Sequence, residues 1–375
     1  MICTVDSVEL LLGAVKDVMP AVPKKSFFYQ LEHILVEASS DGLQLAATDT
    51  ELAISARIPA HVDAPGAALV PARKLHDVLR ALPSDLSCTI DATGERFVLA
   101  TPIGRYELPK LDASEFPELP HTDHATTVTL APADAQAVAA ATVYAASTEL
   151  YRPAMTGVKF ELGSALVAVA TDGYRLSTIS IQLDSASSDI LEAVVPARVV
   201  ELLSKVHDDV VLGFSKTHVM IETGSIRIAA RLIDESYPLW RNAIPKESPK
   251  VAVIERESLI KAIRRMALFA GTNVGLVRFH WEADVVRLSA TDPDTGAQAQ
   301  EELACKYSSE PLDIGFNHKY ITEALQHIPS DNVTLAFSEP SCAALLTPAA
   351  NGSYSITAFV MPIRANQAHH RVRCY

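Results

Sequence analysis

The sequence predicts an α+β protein built from three repeats of one domain, in which two helices pack on antiparallel sheets. The first observation behind this prediction is a strand-like apolar segment that ends in Ala-Thr-Asp and occurs three times, closing at Asp49, Asp172 and Asp292. These aspartates are 123 (172 − 49) and 120 (292 − 172) residues apart. A nearly constant spacing of one domain length indicates a triplicated chain.

Two further landmarks recur with nearly the same period. A Val-Pro-Ala-Arg motif opens an amphipathic helix at 70–79 and at 195–203, and a weaker counterpart, Phe-Asn-His-Lys, opens one at 316–325. An aromatic residue or a methionine precedes a proline near the end of each repeat, at Pro117, Pro238 and Pro362. Three landmarks in one order make a chance match a poor explanation.

Each repeat opens with a predicted helix. Segments 6–15, 132–141 and 255–263 carry apolar residues at helical spacing, and the first of them starts with a capping aspartate. Strand-like segments follow, then the Ala-Thr-Asp ending, the second helix and short strands bounded by turns. We expect two helices and roughly eight strands per repeat, with the helices grouped against one face of an antiparallel sheet.

Polar, proline-flanked stretches at 120–126 and 245–250 separate the repeats. The predicted domains are 1–122, 123–247 and 248–364, followed by a C-terminal tail at 365–375. Beyond alanine, the tail offers apolar surface only at Val372, Cys374 and Tyr375. This is too little to offset backbone ordering at ~1–2 kcal/mol per residue, so we expect the tail to trail into solvent.

Composition sets the outer bounds on function. The 375 residues are 49% apolar, which is enough for a hydrophobic core in each repeat. No apolar run reaches the ~18 residues of a membrane span, and the first residues lack the features of a secretory signal, so we expect a cytoplasmic protein. The formal net charge of −13 argues against diffuse binding to nucleic acid, because an acidic surface repels phosphates. Any DNA contact therefore needs a segregated basic surface.

No group of residues predicts catalysis, a metal site or a cofactor. The five cysteines are odd in number and scattered, which favours reduced thiols. His121 and His124 lie in a proline-flanked linker without a nearby Cys or Glu, which favours solvated histidines over a metal site. Segment 292–303 begins like a calcium loop but ends in Leu303, where a glutamate is needed.

The repeated aspartates are better explained as turn caps than as catalytic carboxylates. One aspartate per domain at this spacing cannot converge on a single site, whereas aspartate side chains commonly accept hydrogen bonds from turn backbone. A hydrolase or nuclease that uses Asp49, Asp172 and Asp292 is the alternative from a different functional class. Replacing each aspartate in turn separates the two hypotheses. A clamp retains its stimulation of the polymerase, whereas an aspartate-dependent enzyme loses its activity.

Four motifs together resemble the bacterial sliding clamps, the β subunits of DNA polymerase III. They are Val-Pro-Ala-Arg-Lys at 70–74, Arg-Ala-Leu-Pro at 80–83, Ala-Thr-Asp-Gly-Tyr-Arg-Leu at 170–176 and Phe-Val-Met-Pro-Ile-Arg at 359–364. The resemblance covers residues 1–364 and implies a head-to-tail homodimer of three-domain protomers. Such a dimer closes a ring, with sheets outside and helices lining a hole for duplex DNA.

The resemblance also implies a non-enzymatic processivity factor for DNA replication. Nucleotidyl transfer would reside in the polymerase subunits that the clamp tethers, and no cofactor or membrane partner is implied. The implied partners are the polymerase III catalytic subunit, the clamp loader, other polymerases and repair proteins, all bound through short peptide motifs. A specialised second clamp copy is a narrower alternative.

The resemblance assigns DNA-facing positions to basic residues. The matching positions are Lys24, Arg73, Arg80, Arg152 and Arg198. Further candidates, chosen on charge and placement alone, are Lys205, Lys261, Arg264 and Lys319. A clamp holds DNA by topology, so weak contacts without sequence specificity suffice. A solvated helix face is the alternative for each residue.

The resemblance implies an interface between the first domain of one protomer and the third domain of the next. The matching charged positions are Lys74, Arg96, Arg105, Glu301 and Glu302, and the apolar ones are Tyr106, Leu268 and Phe269. Exposed ion pairs are typically worth only ~0–1 kcal/mol each. We therefore expect apolar burial to supply most of the stability and the charges to set partner and register.

A pocket for partner peptides is implied between the second and third domains. Its matching positions are Met155, Thr171, Gly173, Tyr174, Arg175, Leu176, Pro238, Asn242, Ala243, Tyr320, Phe359, Val360, Met361, Pro362, Ile363 and Arg364. Aliphatic and Met side chains accept leucine or phenylalanine anchors. Tyr174 replaces a histidine that is frequent in the family, and Asn242 and Ala243 replace larger or charged residues. The alternative for Leu176, Val360 and Met361 is a purely structural role in the core.

Overall fold

The computed structural model describes residues 1–120, 126–183, 191–271, 273–350 and 352–363. His121, His124, Arg364, the predicted boundary at 122/123 and the tail at 365–375 lie outside the described residues. The predictions made for them therefore stay predictions.

The same order of elements recurs in each repeat. The first repeat contains β1 (Ile2–Val5), α1 (Val8–Val18), β2 (His33–Ser39), β3 (Gly42–Thr48), β4 (Leu52–Ile58), β5 (His61–Ala64), β6 (Gly66–Pro71), α2 (Ala72–Ala81), β7 (Cys88–Asp91), β8 (Arg96–Thr101) and β9 (Gly104–Pro109). The second contains β10 (Thr126–Leu130), α3 (Pro132–Thr142), β11 (Gly157–Leu162), β12 (Ala165–Thr171), β13 (Arg175–Gln182), β14 (Leu191–Pro196), α4 (Ala197–Val200), β15 (Val210–Phe214), β16 (His218–Thr223) and β17 (Ile226–Arg231). The third contains β18 (Lys250–Glu255), α5 (Arg256–Ala267), β19 (Leu276–Glu282), β20 (Val285–Thr291), β21 (Gln298–Ala304), β22 (Lys306–Tyr307), β23 (Leu312–Asn317), α6 (His318–Gln326), β24 (Asn332–Phe337), β25 (Ala344–Pro348) and β26 (Ser355–Val360). The predicted α+β class, with two helices in each repeat, is confirmed.

Side-chain caps fix the starts of several helices. The Ser7 hydroxyl accepts from the Leu10 N–H of α1, and the Glu255 carboxylate accepts from the N–H groups of Glu257 and Ser258 at the start of α5. These bonds satisfy backbone donors that the first helical turn leaves without an intrahelical partner. The predicted helix starts therefore hold to within two residues. The predicted cap of α1 is wrong, because Ser7 and not the aspartate at position 6 caps this helix.

The second helix of each repeat starts later than the sequence motif. Pro71 closes β6 and precedes α2, and Asn317 caps α6, so these helices start two residues after the predicted positions 70 and 316. In the second repeat the prediction of a helix over 195–203 is only partly correct. There α4 spans four residues and passes into a 3-10 helix at Glu201–Lys205. Two successive β-branched residues, Val199 and Val200, disfavour a longer α-helix.

The described strands form four antiparallel sheets. Their strand orders are β5-β1-β7-β8-β9, β10-β15-β16-β17-β4-β3-β2-β6, β14-β11-β12-β13-β26-β25-β24-β18-β22 and β21-β20-β19-β23. The eight-stranded sheet joins the first two repeats, because β17 pairs with β4 and places Ile228 opposite Ile54. The nine-stranded sheet joins the second and third repeats through β13 and β26.

These shared sheets group the chain into two compact units rather than three. The first unit comprises Met1–Ala133 and Val206–Leu232, with the five- and eight-stranded sheets. The second comprises Asp134–Lys205 and the described residues from Ile233 onward, with the other two sheets. Strands of the second repeat are therefore divided between the two units.

Aromatic side chains fill much of the core of the third repeat. Trp281 and Phe279 on β19 are fully buried. The Phe279 ring meets Phe316 edge-on at 5.4 Å between centroids, and Trp281 lies 5.2 Å from Phe337. Such pairs add about 0.5–1.5 kcal/mol beyond the burial of their area. This packing anchors β19, β23 and β24.

Candidate functional site: a partner-peptide surface and charged edges

The pairing of β13 with β26 builds the centre of the predicted peptide pocket. It sets Leu176 opposite Phe359 in the ladder. Beyond the end of β26, the Met361 N–H donates to the Tyr174 carbonyl at 2.8 Å. Residues almost two hundred positions apart in sequence are thus adjacent in the second unit.

An apolar cluster lies beneath this point. Its buried members are Val169, Leu176, Trp240, Ala343 and Phe359, and the partly buried side chains of Val167, Tyr237, Ile244, Leu345 and Met361 pack against it. Leu176 is 2% exposed and Val360 is fully buried, so both are core side chains in the described structure. Met361 is half-buried, so part of its side chain stays open to solvent.

The Ala-Thr-Asp ending forms a closed turn at this site. The Asp172 carboxylate accepts from the N–H groups of Tyr174 and Arg175 at 2.8 and 3.0 Å. The Thr171 hydroxyl donates to the Arg175 carbonyl and accepts from the Gly173 N–H. Gly173 has φ +90°, a conformation that glycine adopts without steric cost.

The equivalent aspartates make the same kind of contact. Asp49 accepts from the N–H groups of Glu51 and Leu52 at 3.1 and 2.8 Å, and Asp292 accepts from the Asp294 N–H at 2.9 Å. The prediction that these carboxylates cap turns is confirmed. These hydrogen bonds give the three carboxylates a structural role, so their recurrence is explained without catalysis.

Arg175 is held between aromatic rings and carboxylates. Its Nε donates to Asp172 at 3.1 Å, and its Nη1 pairs with Glu323. The guanidinium carbon lies 5.0 Å from the Tyr320 ring centroid and 5.5 Å from that of Tyr144. Burial raises the pKa of Tyr144 to about 12, so this phenol stays neutral beside the arginine. Arg175 is thereby fixed in one orientation, with its donors partly satisfied.

Tyr174 and Tyr320 form an open aromatic surface beside Arg175. Their rings are stacked with centroids 6.0 Å apart, and the Tyr174 side chain is 59% exposed. Tyr174 therefore presents much of its ring to solvent. An exposed aromatic ring of this kind can contact a planar or aliphatic group.

A buried carboxylate that the sequence analysis missed anchors the segment carrying Asn242 and Ala243. Glu161 on β11 accepts from Trp240 Nε1 at 3.1 Å and from both terminal nitrogens of Arg241 at 3.0 and 2.6 Å. Lys159 Nζ lies 3.1 Å from the same carboxylate. Burial opposes ionisation of Glu161, but these hydrogen bonds outweigh it and lower its pKa to about 2.

The remaining predicted pocket residues among those described are fully or partly exposed. Asn242 and Ala243 are exposed on the 3-10 helix Trp240–Ala243, and Met155 and Pro238 are half-buried. Half-buried Pro362 follows Met361, and the Ile363 N–H donates to the Gly315 carbonyl at 2.7 Å. This bond ties the end of the described chain to β23.

The basic residues predicted to face DNA are all exposed. In the first unit they are Lys24, Arg73 and Arg80. In the second unit they are Arg152, Arg198, Lys205, Lys261, Arg264 and Lys319. All but Lys24 and Arg152 lie on α2, α4, α5, α6 or the 3-10 helix after α4. Helices of both units thus carry exposed basic side chains in a protein of negative net charge.

The predicted interface residues lie on or near edge strands. β9, with Arg105 and Tyr106, ends the five-stranded sheet of the first unit, and β21, with Glu301 and Glu302, ends the four-stranded sheet of the second. An edge strand presents unpaired backbone groups that another chain can bind.

Glu301 and Glu302 have ion-pair partners within the chain that were not predicted from the sequence. Glu301 pairs with both Nε and Nη2 of Arg265, and Glu302 accepts from Arg287 Nε at 2.8 Å. Leu268, just after α5, is 82% exposed. An apolar side chain beside an ion-paired edge is typical of a surface that a partner covers.

Comparison with known proteins assigns this architecture. Three family models match in chain order: the N-terminal domain of the DNA polymerase III beta subunit at residues 3–120, its central domain at 129–239 and its C-terminal domain at 241–364. The chain belongs to the DNA polymerase III beta subunit family.

Individual relatives of the family match over nearly their full length. The beta sliding clamp of Pseudomonas putida is 28% identical over 364 residues, which cover 95% of this chain and 98% of the relative. That of Vibrio cholerae is 29% identical over 342 residues, which cover 89% and 92%. The crystal structure of the DNA polymerase III subunit beta from Pseudomonas aeruginosa is 26% identical, with a TM-score of 0.90 over 97% of this chain and all of that one. A structure of the Bartonella birtlesii sliding clamp bound to griselimycin is 25% identical, with a TM-score of 0.92.

Two further observations concern metal sites and membrane spans. Among the described residues, no group of three or more His, Cys, Asp or Glu side chains is arranged to hold a metal ion. No helix in the described part of the chain is long and apolar enough to cross a membrane.

Proposed function

We propose that this chain is a DNA sliding clamp that encircles duplex DNA as a homodimer and gives processivity to the replicative polymerase. The observation that carries the proposal is the ordered match of all three clamp domains over 3–120, 129–239 and 241–364. The domain boundaries we propose are 1–122, 123–247 and 248–364. The protein acts without catalysis, and bond formation belongs to the polymerase it tethers.

The proposed ring is closed by head-to-tail contacts between two copies. Edge strand β9 of one copy meets edge strand β21 of the other, so that the five-stranded sheet continues into the partner's four-stranded sheet and these two edges are covered. Arg96 and Arg105 of one copy then lie near Glu301 and Glu302 of the other. The two glutamates lose part of their ion pairing with Arg265 and Arg287 and pair with these arginines instead. Leu268, Phe269 and Tyr106 supply the apolar area.

DNA is held by topology and by weak contacts to the exposed basic residues on the helices. The net charge of −13 per chain keeps other faces of the protein from competing for phosphates. Binding to open linear DNA is therefore weak, and it falls steeply with salt because each phosphate contact releases counterions.

Partner proteins bind the surface around Met361, Tyr174 and Arg175. The apolar cluster beneath it and the stacked tyrosines suit a peptide with leucine and phenylalanine anchors after a glutamine. Arg175 and the adjacent backbone groups hold the polar end. The clamp loader and several polymerases and repair proteins share this surface through short motifs.

The test of this function is loader-dependent stimulation of the polymerase on primed circular DNA. We expect long products only when clamp, loader and polymerase are all present. Single replacements Asp49→Asn, Asp172→Asn and Asp292→Asn should each retain stimulation if the protein stays folded. Loss of a metal-dependent hydrolytic activity in these variants would instead favour an aspartate-dependent enzyme.

A further inference from the structure

One exposed segment of the first repeat combines aromatic and basic side chains. Phe27, Phe28 and Tyr29 are 105%, 63% and 59% exposed, and the exposed Lys24 and Lys25 precede them with only Ser26 between. We call residues 24–29 the aromatic–basic segment. Three consecutive exposed aromatic residues are unusual on a soluble domain and mark a binding surface.

Hydrogen bonds and ring packing hold this segment in place. The Ser26 N–H donates to Glu32 Oε1 at 3.1 Å, which occupies that carboxylate, and the Phe28 N–H donates to the Ser26 hydroxyl at 3.0 Å. The Tyr29 ring packs edge-on against His33, with centroids 4.7 Å apart. The backbone is therefore ordered while the two phenylalanine rings stay open to solvent.

A third cation lies against the segment. Arg73, the second residue of α2, donates from Nη2 to the Pro23 carbonyl at 3.3 Å. Lys24 and Lys25 within the segment, and Arg73 bonded to the residue just before it, thus place three cations at this segment, on a chain whose formal net charge is −13. The charge favours a polyanion, and the rings favour a ligand with flat apolar faces.

The second repeat has a similar pair at the same place. Leu150 and Tyr151 are 84% and 71% exposed, and the Arg152 guanidinium carbon lies 5.5 Å from the Tyr151 ring centroid. This loop joins α3 to β11, as the aromatic–basic segment joins α1 to β2. Two independent loops at one position of the repeat therefore combine an exposed aromatic ring with a cation.

We propose that the aromatic–basic segment binds unpaired bases of single-stranded DNA. Aromatic rings stack on the open faces of unpaired bases, and neighbouring cations contact the phosphates. Duplex DNA hides its base faces in the stack and gains only the phosphate contacts. The inference goes beyond the proposed function, since encircling duplex DNA needs no unpaired base, and it rests on that function only in sharing Lys24 and Arg73.

Fluorescence anisotropy with full-length protein tests the proposal. The probes are an oligothymidylate of about 16 nucleotides and a duplex of the same length, both linear, so neither ring loading nor a loader is needed. We expect F27A/F28A to bind the single strand at least about tenfold more weakly and the duplex less than about twofold more weakly. Both side chains are largely exposed, so the variant should keep its fold.

Two control variants sharpen the result. Leu239→Ala removes a side chain that is 81% exposed and lacks a ring. This variant should bind both probes as tightly as the parent protein does. K24Q/K25Q should weaken binding of both probes and flatten the salt dependence. Equal losses for the two probes in F27A/F28A, or no loss, would overturn the proposal.

The same variants separate this inference from the clamp function. An F27A/F28A protein that loads on circular DNA but has lost single-strand binding supports both proposals. A parent protein that binds the single strand but never supports loading leaves this inference standing and removes the clamp function. If F27A/F28A changes the sedimentation of the free protein and leaves DNA affinity unchanged, the segment contacts a second copy and the inference is wrong.

Discussion

The carboxylate of Glu161 accepts hydrogen bonds from Trp240 and Arg241, which lie 79 and 80 residues further along the chain. The group is nearly buried, and taking a charge out of water is costly unless partners compensate for the loss. Trp240 also belongs to the apolar cluster beneath Met361. Glu161 therefore links β11 to the surface on which partner peptides are proposed to bind.

Replacing Glu161 with glutamine should destabilise the protein and change its response to acid. We expect a loss of about 2 kcal/mol near neutral pH, because charge-assisted hydrogen bonds become neutral ones. Since the folded-state pKa is lowered to about 2, the carboxylate stabilises the fold above its ordinary pKa of 4.5, and this contribution is lost as pH falls from there toward 2. Urea unfolding at several pH values should show a flatter acid profile for E161Q.

Glu222→Gln is the matched control for this measurement. Glu222 pairs with Arg227 at 2.7 Å, but both side chains are about half exposed, so the change should cost less than about 1 kcal/mol. Equal losses in the two variants would show that burial of Glu161 has no special effect.

The sequence predicts some of these residue roles and misses others for a physical reason. The capping role of Asp172 is local, since its acceptor bonds reach only two and three residues ahead. Glu161 looks like an ordinary strand residue in the sequence, because its partners depend on tertiary packing. The same holds for Arg265, whose partner Glu301 is 36 residues away.

At the scale of elements, the end of β26 offers the most direct test of the peptide surface. Met361→Ala should weaken binding of a leucine- and phenylalanine-containing peptide by about 1–3 kcal/mol, because half-buried apolar contact is lost. Titration calorimetry with one labelled peptide measures this change. Met19→Ala removes a half-buried methionine in the first unit and should leave affinity unchanged.

Leu176→Ala is a less specific test than Met361→Ala. The Leu176 side chain is 2% exposed within the core, so its truncation should lower the free energy of unfolding by about 2–5 kcal/mol. Any loss of peptide affinity would come on top of this destabilisation. Unchanged peptide affinity in Met361→Ala, with the protein still folded, would place the peptide site elsewhere.

The end of α5 tests the proposed joint between copies. Leu268→Asp should turn the dimer into monomers at micromolar concentration, since a charge in an apolar interface lacks a partner. Sedimentation velocity gives the result directly. Leu239→Asp alters a side chain of similar exposure outside the proposed joint and should leave the dimer intact. Dimers in both variants would contradict the assigned interface.

Element types were predictable from the sequence more securely than their extents. Helix α1 has a clear apolar period and begins within two residues of the prediction, but its cap is Ser7 and not the predicted Asp6. The helix predicted over 195–203 divides into α4 and a 3-10 helix, because backbone stiffness at Val199 and Val200 competes with the amphipathic pattern. Strand pairing between repeats, such as β17 with β4, is invisible in a repeat pattern.

For the whole molecule, three sequence repeats give two compact units because sheets run across repeat boundaries. Repetition of one domain supplies the pseudo-symmetry that lets a head-to-tail pair of copies close into a ring. In the proposed clamp, the acidic net charge keeps other faces of the protein away from phosphates, and the exposed basic residues on the helices tolerate them. Topological retention on DNA is the property that unites these features.

The most direct test of this account compares retention on closed and cut DNA. The clamp is loaded by its loader onto a nicked circular plasmid, purified by gel filtration, and then treated with a nuclease that cuts the plasmid once. We predict that the protein stays on the circle at moderate salt and leaves once the DNA is linear, because weak contacts alone do not hold it. Retention that is equally long on linear DNA, or that depends on DNA sequence, would contradict the central claim.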